Sequence, residues 1–533
     1  MAVQNVHSPR NVEPSPPSFF PVNQVNSSAQ PSMENAIRNP VTDDSMAQTD
    51  HLRPSLHYTP AKNWMNDPNG LVQTSTGYHL FYQYNPNGNL WGDIAWGHAR
   101  SKDLLTWEEL PVAINPDDVM AFSGSAVESE PGQLKHVGIT ERALVAAFTG
   151  HHPATAVEDQ RIVTSIDDGA SWQPISDGPV INRAQKHFRD PRLFWHGASE
   201  SWVMAVSLAL EHRIVFYGSR DLLNWEERGS FSSTDAPGVE WECPELVQFA
   251  DPDKPGEELW MLKIDVSSGA PAGGSGGKYF LGHFDGYEFD AAPRIGSFDE
   301  AAVATAWIDY GADFYAAQRF SSLHSDTAPV WLGWASNWLY ARQTPDFPGR
   351  GCQSLPRTLH LESSQGGCRL AQRPVPGVTR LRREPTVSIP LEVPANGETR
   401  PRYTGKVFDL ECRLDRWSAD NFGLCLAKGD GCETRLGFRP DENRCYIDRR
   451  HSGALQVADS FPGVHSAPLD FDGPIDLRVI IDRSVVEVFI NNGERVLTDL
   501  IYPDTDAVEV TLFAEGGQLS LSSAQCWSLE TPR

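Results

Sequence analysis

From Leu52 onward the chain reads as short runs in which apolar and polar residues alternate, such as Tyr78-His79-Leu80-Phe81-Tyr82-Gln83-Tyr84, broken by Gly, Pro and Asn-Gly. Alternation with a period of two puts one set of side chains on each face of a pleated strand, and Gly or Pro ends the run. No long stretch keeps the 3.6-residue period of a helix. The pattern predicts an all-β protein. Residues 1–50 lack the alternation and are rich in Pro, Ser and Asn, as expected of a disordered tail.

The runs recur in units. Ser101-Lys102-Asp103-Leu104-Leu105-Thr106-Trp107-Glu108 returns as Ser219-Arg220-Asp221-Leu222-Leu223-Asn224-Trp225-Glu226, with looser copies at Ser165–Trp172 and Phe284–Phe289. The aromatic positions 107, 172, 225 and 287 are 65, 53 and 62 residues apart. Units of this size with one aromatic hairpin motif each are the signature of a β-propeller. Residues 51–372 hold about five of them, which predicts a five-bladed β-propeller. The Trp residues of the motif are read as packing between blades. Six prolines between Pro374 and Pro401 then mark a linker over 373–402. Beyond it, Leu477–Ile481 and Val485–Ile490 read as a hairpin within a β-sandwich over 403–533.

Acidic motifs follow the same period. Asp67, Phe122, Asp190, Glu242 and Asp309 are separated by 55, 68, 52 and 67 residues. Equivalent positions in successive blades point at one axis, so these residues are expected to meet at the mouth of the central channel. Taken singly, Asp-Pro and Asn-Asp are ordinary turn pairs. The neighbours Trp241, Cys243 and Pro244 give Glu242 an apolar setting that would raise its pKa, as a general acid requires.

Composition narrows the partners. With 44 basic and 70 acidic residues the net charge is −26, which argues against nucleic acid or an anionic membrane and fits a neutral small-molecule substrate. No apolar run approaches the length of a membrane span. Ser18-Phe19-Phe20-Pro21-Val22 is too short for the core of a signal peptide. A cytoplasmic location is expected, or a secreted one if a leader is missing. The eight cysteines include no Cys-x-x-Cys pair and are read as buried reduced thiols without zinc, with pairing among Cys412, Cys425, Cys432 and Cys445 open in an oxidising compartment. Gly273–Lys278 lacks the pattern of a phosphate loop. His151 and His152, adjacent on a strand, face opposite ways. No metal and no cofactor are expected.

Trp64-Met65-Asn66-Asp67-Pro68-Asn69-Gly70, Arg189-Asp190-Pro191 and Trp241-Glu242-Cys243-Pro244 resemble the three signature motifs of glycoside hydrolase family 32. That family comprises the β-fructofuranosidases, among them invertases, exo-inulinases and levanases, and related fructosyltransferases. Phe122-Ser123-Gly124-Ser125, Asp313–Gln318 and Gly333–Trp338 are similar to further family segments. The resemblance implies a five-bladed propeller with a C-terminal β-sandwich, and hydrolysis of terminal non-reducing β-D-fructofuranosyl residues of sucrose and fructo-oligosaccharides. It further implies a retaining double displacement. Asp67 would be the nucleophile, Glu242 the acid and base, and Asp190 the stabiliser of the transition state. Asn66, Gln83, Trp91, Phe122, Ser123, Arg189 and Trp334 would surround the fructosyl group. Retention requires the carboxyls of Asp67 and Glu242 to be about 5 to 5.5 Å apart. Two alternatives stand beside this reading: a fructosyltransferase, and a carbohydrate-binding propeller without activity. The sandwich is read as structural support, with a homodimer through it left open.

Overall fold

The computed structural model describes residues 50–531 apart from 237, 293–304, 322–326, 365–366, 389–390 and 401–402. The tail expected over 1–50 therefore lies, except for Asp50, outside the described residues. The rest is almost entirely β. No helix among the described residues is long and apolar enough to cross a membrane.

Five antiparallel sheets follow one another along the chain. Their first strands are Asn63–Thr74, Met120–Glu128, Phe188–His196, Trp241–Ala250 and Tyr315–Arg319. Each first strand lies against the next, and the fifth lies back against the first, so the sheets form a closed ring around these inner strands. Gly349–Arg350, from the stretch after the second strand of sheet 5, pairs in parallel with Asn63–Trp64 and fastens the closure. Residues such as Trp202, Val203, Met204, Leu262 and Phe280 are wholly buried between neighbouring sheets.

The repeated octapeptide is a capped hairpin turn. Asp103 Oδ1 accepts from the amides of Leu105 (2.9 Å) and Thr106 (2.7 Å), and Asp221 Oδ1 accepts from Leu223 and Asn224 at the same distances. Leu104 and Leu222 both hold a left-handed φ inside that turn. The aromatic residue packs across sheets: Trp172 meets Phe81 of sheet 1, and Tyr287 of sheet 4 lies under the Arg228 guanidinium of sheet 3.

The remaining strands form two facing sheets around one apolar core, the β-sandwich. The hairpin read from the sequence is Ile475–Asp482 paired with Val485–Ile490. The linker expectation needs correction, because Arg382–Ser388, Leu391–Val393 and Gly397–Thr399 are strands of the sandwich. They are edge strands, where proline's missing N–H costs no central ladder bond. The proline-rich composition therefore marked an edge rather than a tether.

Candidate active site

Every inner strand carries an irregularity at the same level. The register of pairing shifts between Met65 and Pro68, Ala121 and Gly124, Arg189 and Arg192, Glu242 and Glu245, and Tyr315 and Gln318. A bulge adds a residue, bends the strand and re-aims its side chains. Asp190, Cys243 and Ala316 occupy corresponding places in three of these bulges, each with a left-handed φ of 66°, 47° and 53°. Such a conformation costs a non-glycine residue on the order of 1 kcal/mol or more. Gly124 belongs to the same level: a Cβ there would stand 2.0 Å from the Ala147 carbonyl oxygen.

Bulges leave backbone groups without ladder partners, and buried ones must find others. Polar side chains supply them. Gln83 Nε2 donates to Ala121 O (3.0 Å), Gln318 Nε2 to Gly124 O (3.1 Å), Gln353 Nε2 to Asn66 O (2.8 Å) and Lys263 Nζ to Cys243 O (2.9 Å). The Asp190 amide donates to Thr149 Oγ1 (2.9 Å). Gln83, read from the sequence as a substrate contact, thus braces the bulge of sheet 2.

Three carboxyls converge on this level. Asp67 accepts from Asn66 Nδ2 (2.9 Å) and Ser123 Oγ (2.8 Å). Asp190 Oδ2 accepts from the Cys243 amide at 2.9 Å. The Cys243 thiol lies 3.6 Å from both Asp67 Oδ2 and Asp190 Oδ2, so the two carboxylates share one sulfur atom. Glu242, the next residue back, accepts from Arg189 Nε (3.1 Å) and from the Tyr315 hydroxyl. Asp67 and Asp190 are buried, while the Glu242 side chain keeps 17% of its surface open to the mouth.

The electrostatics follow from that crowding. Burial pushes Asp67 up from the ordinary carboxylate value, against the bonds from Asn66 and Ser123. Burial and the neighbouring Glu242 charge push Asp190 up to about 8, opposed by Arg189. Glu242 is raised by burial, with Arg189 and Tyr315 opposing. Interacting carboxyls titrate as a group, and this group retains a proton into neutral solution. The Cys243 thiol, raised well above its usual value by burial and the adjacent acids, stays protonated.

An aromatic wall encloses the trio. Trp64, Trp334 and Trp338 pack against one another with centroids 4.8 to 6.2 Å apart, Trp64 stacked on Trp338 and edge-on to Trp334. Trp91 stands edge-on to Phe122 at 5.9 Å, and Phe122 lies parallel to the His151 ring at 4.4 Å. Trp334 is wholly buried in this wall, whereas Trp91 and Phe122 are half-buried. A cleft of about 1360 Å³ between the ring and the sandwich holds none of the three acids.

Residues 57–374 match the profile of the glycosyl hydrolases family 32 N-terminal domain, and residues 377–528 that of the family 32 C-terminal domain. The chain belongs to glycosyl hydrolase family 32. It is 38% identical over 489 residues to a levanase of Bacillus subtilis, covering 90% of this chain and 71% of that protein. It is 35% identical to an extracellular exo-inulinase of Aspergillus awamori, over 87% of this chain and 92% of that protein. The crystal structure of an Aspergillus awamori exo-inulinase superposes with a TM-score of 0.84 at 32% identity, covering 90% and 99% of the two chains. A fructofuranosidase of Schwanniomyces occidentalis complexed with fructose gives a TM-score of 0.78 at 29% identity, covering 90% and 99%.

In this family 32 hydrolase the structure brings Asp67, Asp190, Glu242, Asn66, Ser123 and Arg189 into one bonded cluster, with Phe122, Trp91 and Trp334 around it. Asp309 does not join them. It is buried where the ring meets the sandwich, bonded to Arg357 and Thr498. The fifth bulge is at Tyr315–Gln318, and residue spacing alone picked an acid six positions too early. Cys243, Tyr315, Glu158 and His151 were not singled out as site residues. Cys243, inside the Trp241–Pro244 motif, and Tyr315, inside the recognised Asp313–Gln318 segment, left a signal in the sequence; Glu158 and His151 left none that pointed to this site.

Proposed function

We propose that this glycoside hydrolase is an exo-acting, retaining β-fructofuranosidase that releases terminal fructosyl residues from sucrose and fructans. The observation that carries the reading is the meeting of Asp67, Asp190 and Glu242 around the Cys243 thiol and the Arg189 guanidinium at the hub of five sheets, read as five blades.

Ser123 and Asn66 aim the Asp67 carboxylate, which attacks the anomeric C2 of fructose as the C2–O bond to the leaving sugar breaks. Glu242 gives its proton to that departing oxygen. Its raised pKa suits the task. Water then attacks C2 and hands a proton to Glu242, and the ester to Asp67 opens. With the proton that the acid group shares residing on Glu242, Asp190, held by the Cys243 amide, places negative charge beside the oxocarbenium-like centre. The carboxyls of Asp67 and Glu242 are proposed to approach to about 5 to 5.5 Å around bound sugar.

Initial rates on sucrose, inulin and levan, with the anomer of the released fructose followed by NMR, test the proposal. β-Fructose as the first product supports it. The α-anomer, or no release from any of the three, removes it. Glucose accumulating ahead of fructose in concentrated sucrose would favour transfer to a second sugar.

A further inference from the structure

Arg189 faces three carboxylates. Its Nε lies 3.1 Å from Glu242 Oε1, its Nη1 3.3 Å from Glu158 Oε2 and its Nη2 2.8 Å from Glu240 Oε1. One positive charge is thus divided three ways, and what the outer two take is withheld from Glu242. Glu240 is partly exposed and paired with His187 Nδ1 at 2.6 Å. Glu158 is different. It is buried, where solvent screens little. The Phe188 amide donates to its Oε2 at 2.8 Å, and His151 Nδ1 lies 3.2 Å from its Oε1. The His151 ring is clamped parallel to Phe122, 12° from coplanar.

We propose that Glu158, held by His151, is a positioning residue that shares Arg189 with Glu242 and so sets the pH at which the catalytic group loses its proton. This rests on Glu242 being the acid. Burial raises Glu158, but the His151 bond, the Arg189 charge and the Phe188 amide outweigh it and keep the side chain ionised. As an anion it draws the guanidinium away from Glu242 and favours the neutral, proton-donating form there. The other groups facing Glu242 are the Tyr315 hydroxyl, Glu240, Asp67, Asp190 and Asp265, and Asp190 also faces Arg189. Lys263 and Asp265 pair with each other behind Cys243. None of these contacts Glu158 through His151, so the pair can be altered alone.

The pH dependence of kcat/KM on sucrose tests this with Glu158→Gln and His151→Phe. His152→Gln serves as control, because His152 pairs with Asp159 and not with Glu158. Glu158→Gln can still accept from the Phe188 amide, removes the charge and puts an amide NH2 in place of the oxygen that faces His151 and Arg189. Its basic limb is expected about one pH unit lower. His151→Phe keeps the ring on Phe122 but leaves Glu158 to lean on Arg189, so its limb moves up by a smaller amount. His152→Gln superimposes on the wild type. A Glu158→Gln limb that coincides with the wild type overturns the inference. If that variant does not fold, an unmoved or lowered limb in His151→Phe overturns it instead. Glu242→Gln separates the two levels: an active Glu242→Gln sinks the assignment of the acid, whereas an inactive one beside an unshifted Glu158→Gln sinks only the role of Glu158.

Discussion

The buried acids at the hub and those at the seam between ring and sandwich are balanced differently. At the seam between ring and sandwich every acid is bonded to a cation. His57 bridges Asp482 (2.9 Å) and Glu487 (3.0 Å), Arg357 joins Glu487 (2.9 Å) to Asp309 (3.0 Å), and Arg449 holds Asp313 (2.6 Å). At the hub, Asp67 and Asp190 form no ion pair with any of the described residues, and Arg189 is the cation that reaches Glu242. Burial is close to complete in both places, the partly open Glu242 excepted. Yet partners hold Asp482 and Glu487 below the ordinary carboxylate range, while the three hub acids are all raised. Asp309 and Asp313 are raised as well, because burial outweighs their arginines. Matched charge builds a joint. Acids left short of cations hold a proton and an unspent negative charge, which is what cleavage of an acetal uses.

The comparison breaks first at the hub. Asp67→Ala or Glu242→Ala removes a bond-making or proton-transferring group, and kcat on sucrose should fall by roughly 10³-fold or more, with thermal stability unchanged or improved because a buried charge is gone. Near-normal turnover in either folded variant would place the chemistry elsewhere.

At the seam the effect should invert. Arg357→Met strips Glu487 and Asp309 of their shared cation in a site with no exposed surface, and breaking a buried pair from one side costs about 3–5 kcal/mol. Denaturant unfolding should show that loss, while the fraction still folded keeps the wild-type kcat. A variant that is stable but slow would mean that the seam governs the hub.

Asp190→Asn sharpens the contrast because it should trade one property for the other. Asn can still accept from the Cys243 amide but offers no charge, so kcat should drop about 10²- to 10³-fold. Folding raises the Asp190 pKa from 3.8 to about 8, so the folded state binds the proton more tightly than the unfolded chain. Wild-type stability therefore falls as pH rises between those two values. The variant lacks that penalty, and its melting temperature should gain on the wild type from pH 4 to 8 and level off above. A constant difference across that range would mean that Asp190 is not strained by its charge.

How much of this was visible along the chain depends on what each feature is made of. Alternation and the Ser-x-Asp turn are local, so strands such as Gly77–Asn85 and the capped hairpins at Asp103 and Asp221 follow from nearby residues. The three acids could be singled out because their motifs are compact. Bulges and left-handed residues are not written in hydrophobic pattern: nothing in Tyr-Ala-Ala-Gln announces that Ala316 turns a strand and sets Tyr315 over Glu242. The spacing argument therefore chose Asp309, which serves the seam. The seam itself was invisible, since His57 meets Asp482 across 425 residues and each partner alone is an unremarkable polar residue. The edge strand Arg382–Ser388 was hidden for another reason, because Pro385 suits an edge as well as a linker.

The smallest expected effect is at His57, and its pH course decides whether the seam works as matched charge. Burial alone would lower this imidazole, but the Asp482 and Glu487 bonds win and raise it from 6.5 to about 9. A group whose folded pKa is raised stabilises fully below its unfolded value and loses that contribution as pH climbs through the folded one. The window is therefore about 6.5 to 9, and the charge-linked part amounts to about 3 kcal/mol at most. His57→Gln retains donors for at most part of the bridge and carries no charge. The gap in stability between wild type and variant should be widest at pH 6 and narrow steadily toward pH 9, with kcat alike throughout. If the gap is the same at both ends, the imidazole is neutral in the folded protein and the joint is made by hydrogen bonds alone. The seam would then resemble the hub in carrying uncompensated acids, and the division between a matched joint and a charged hub would have to rest on Arg357 and Arg449.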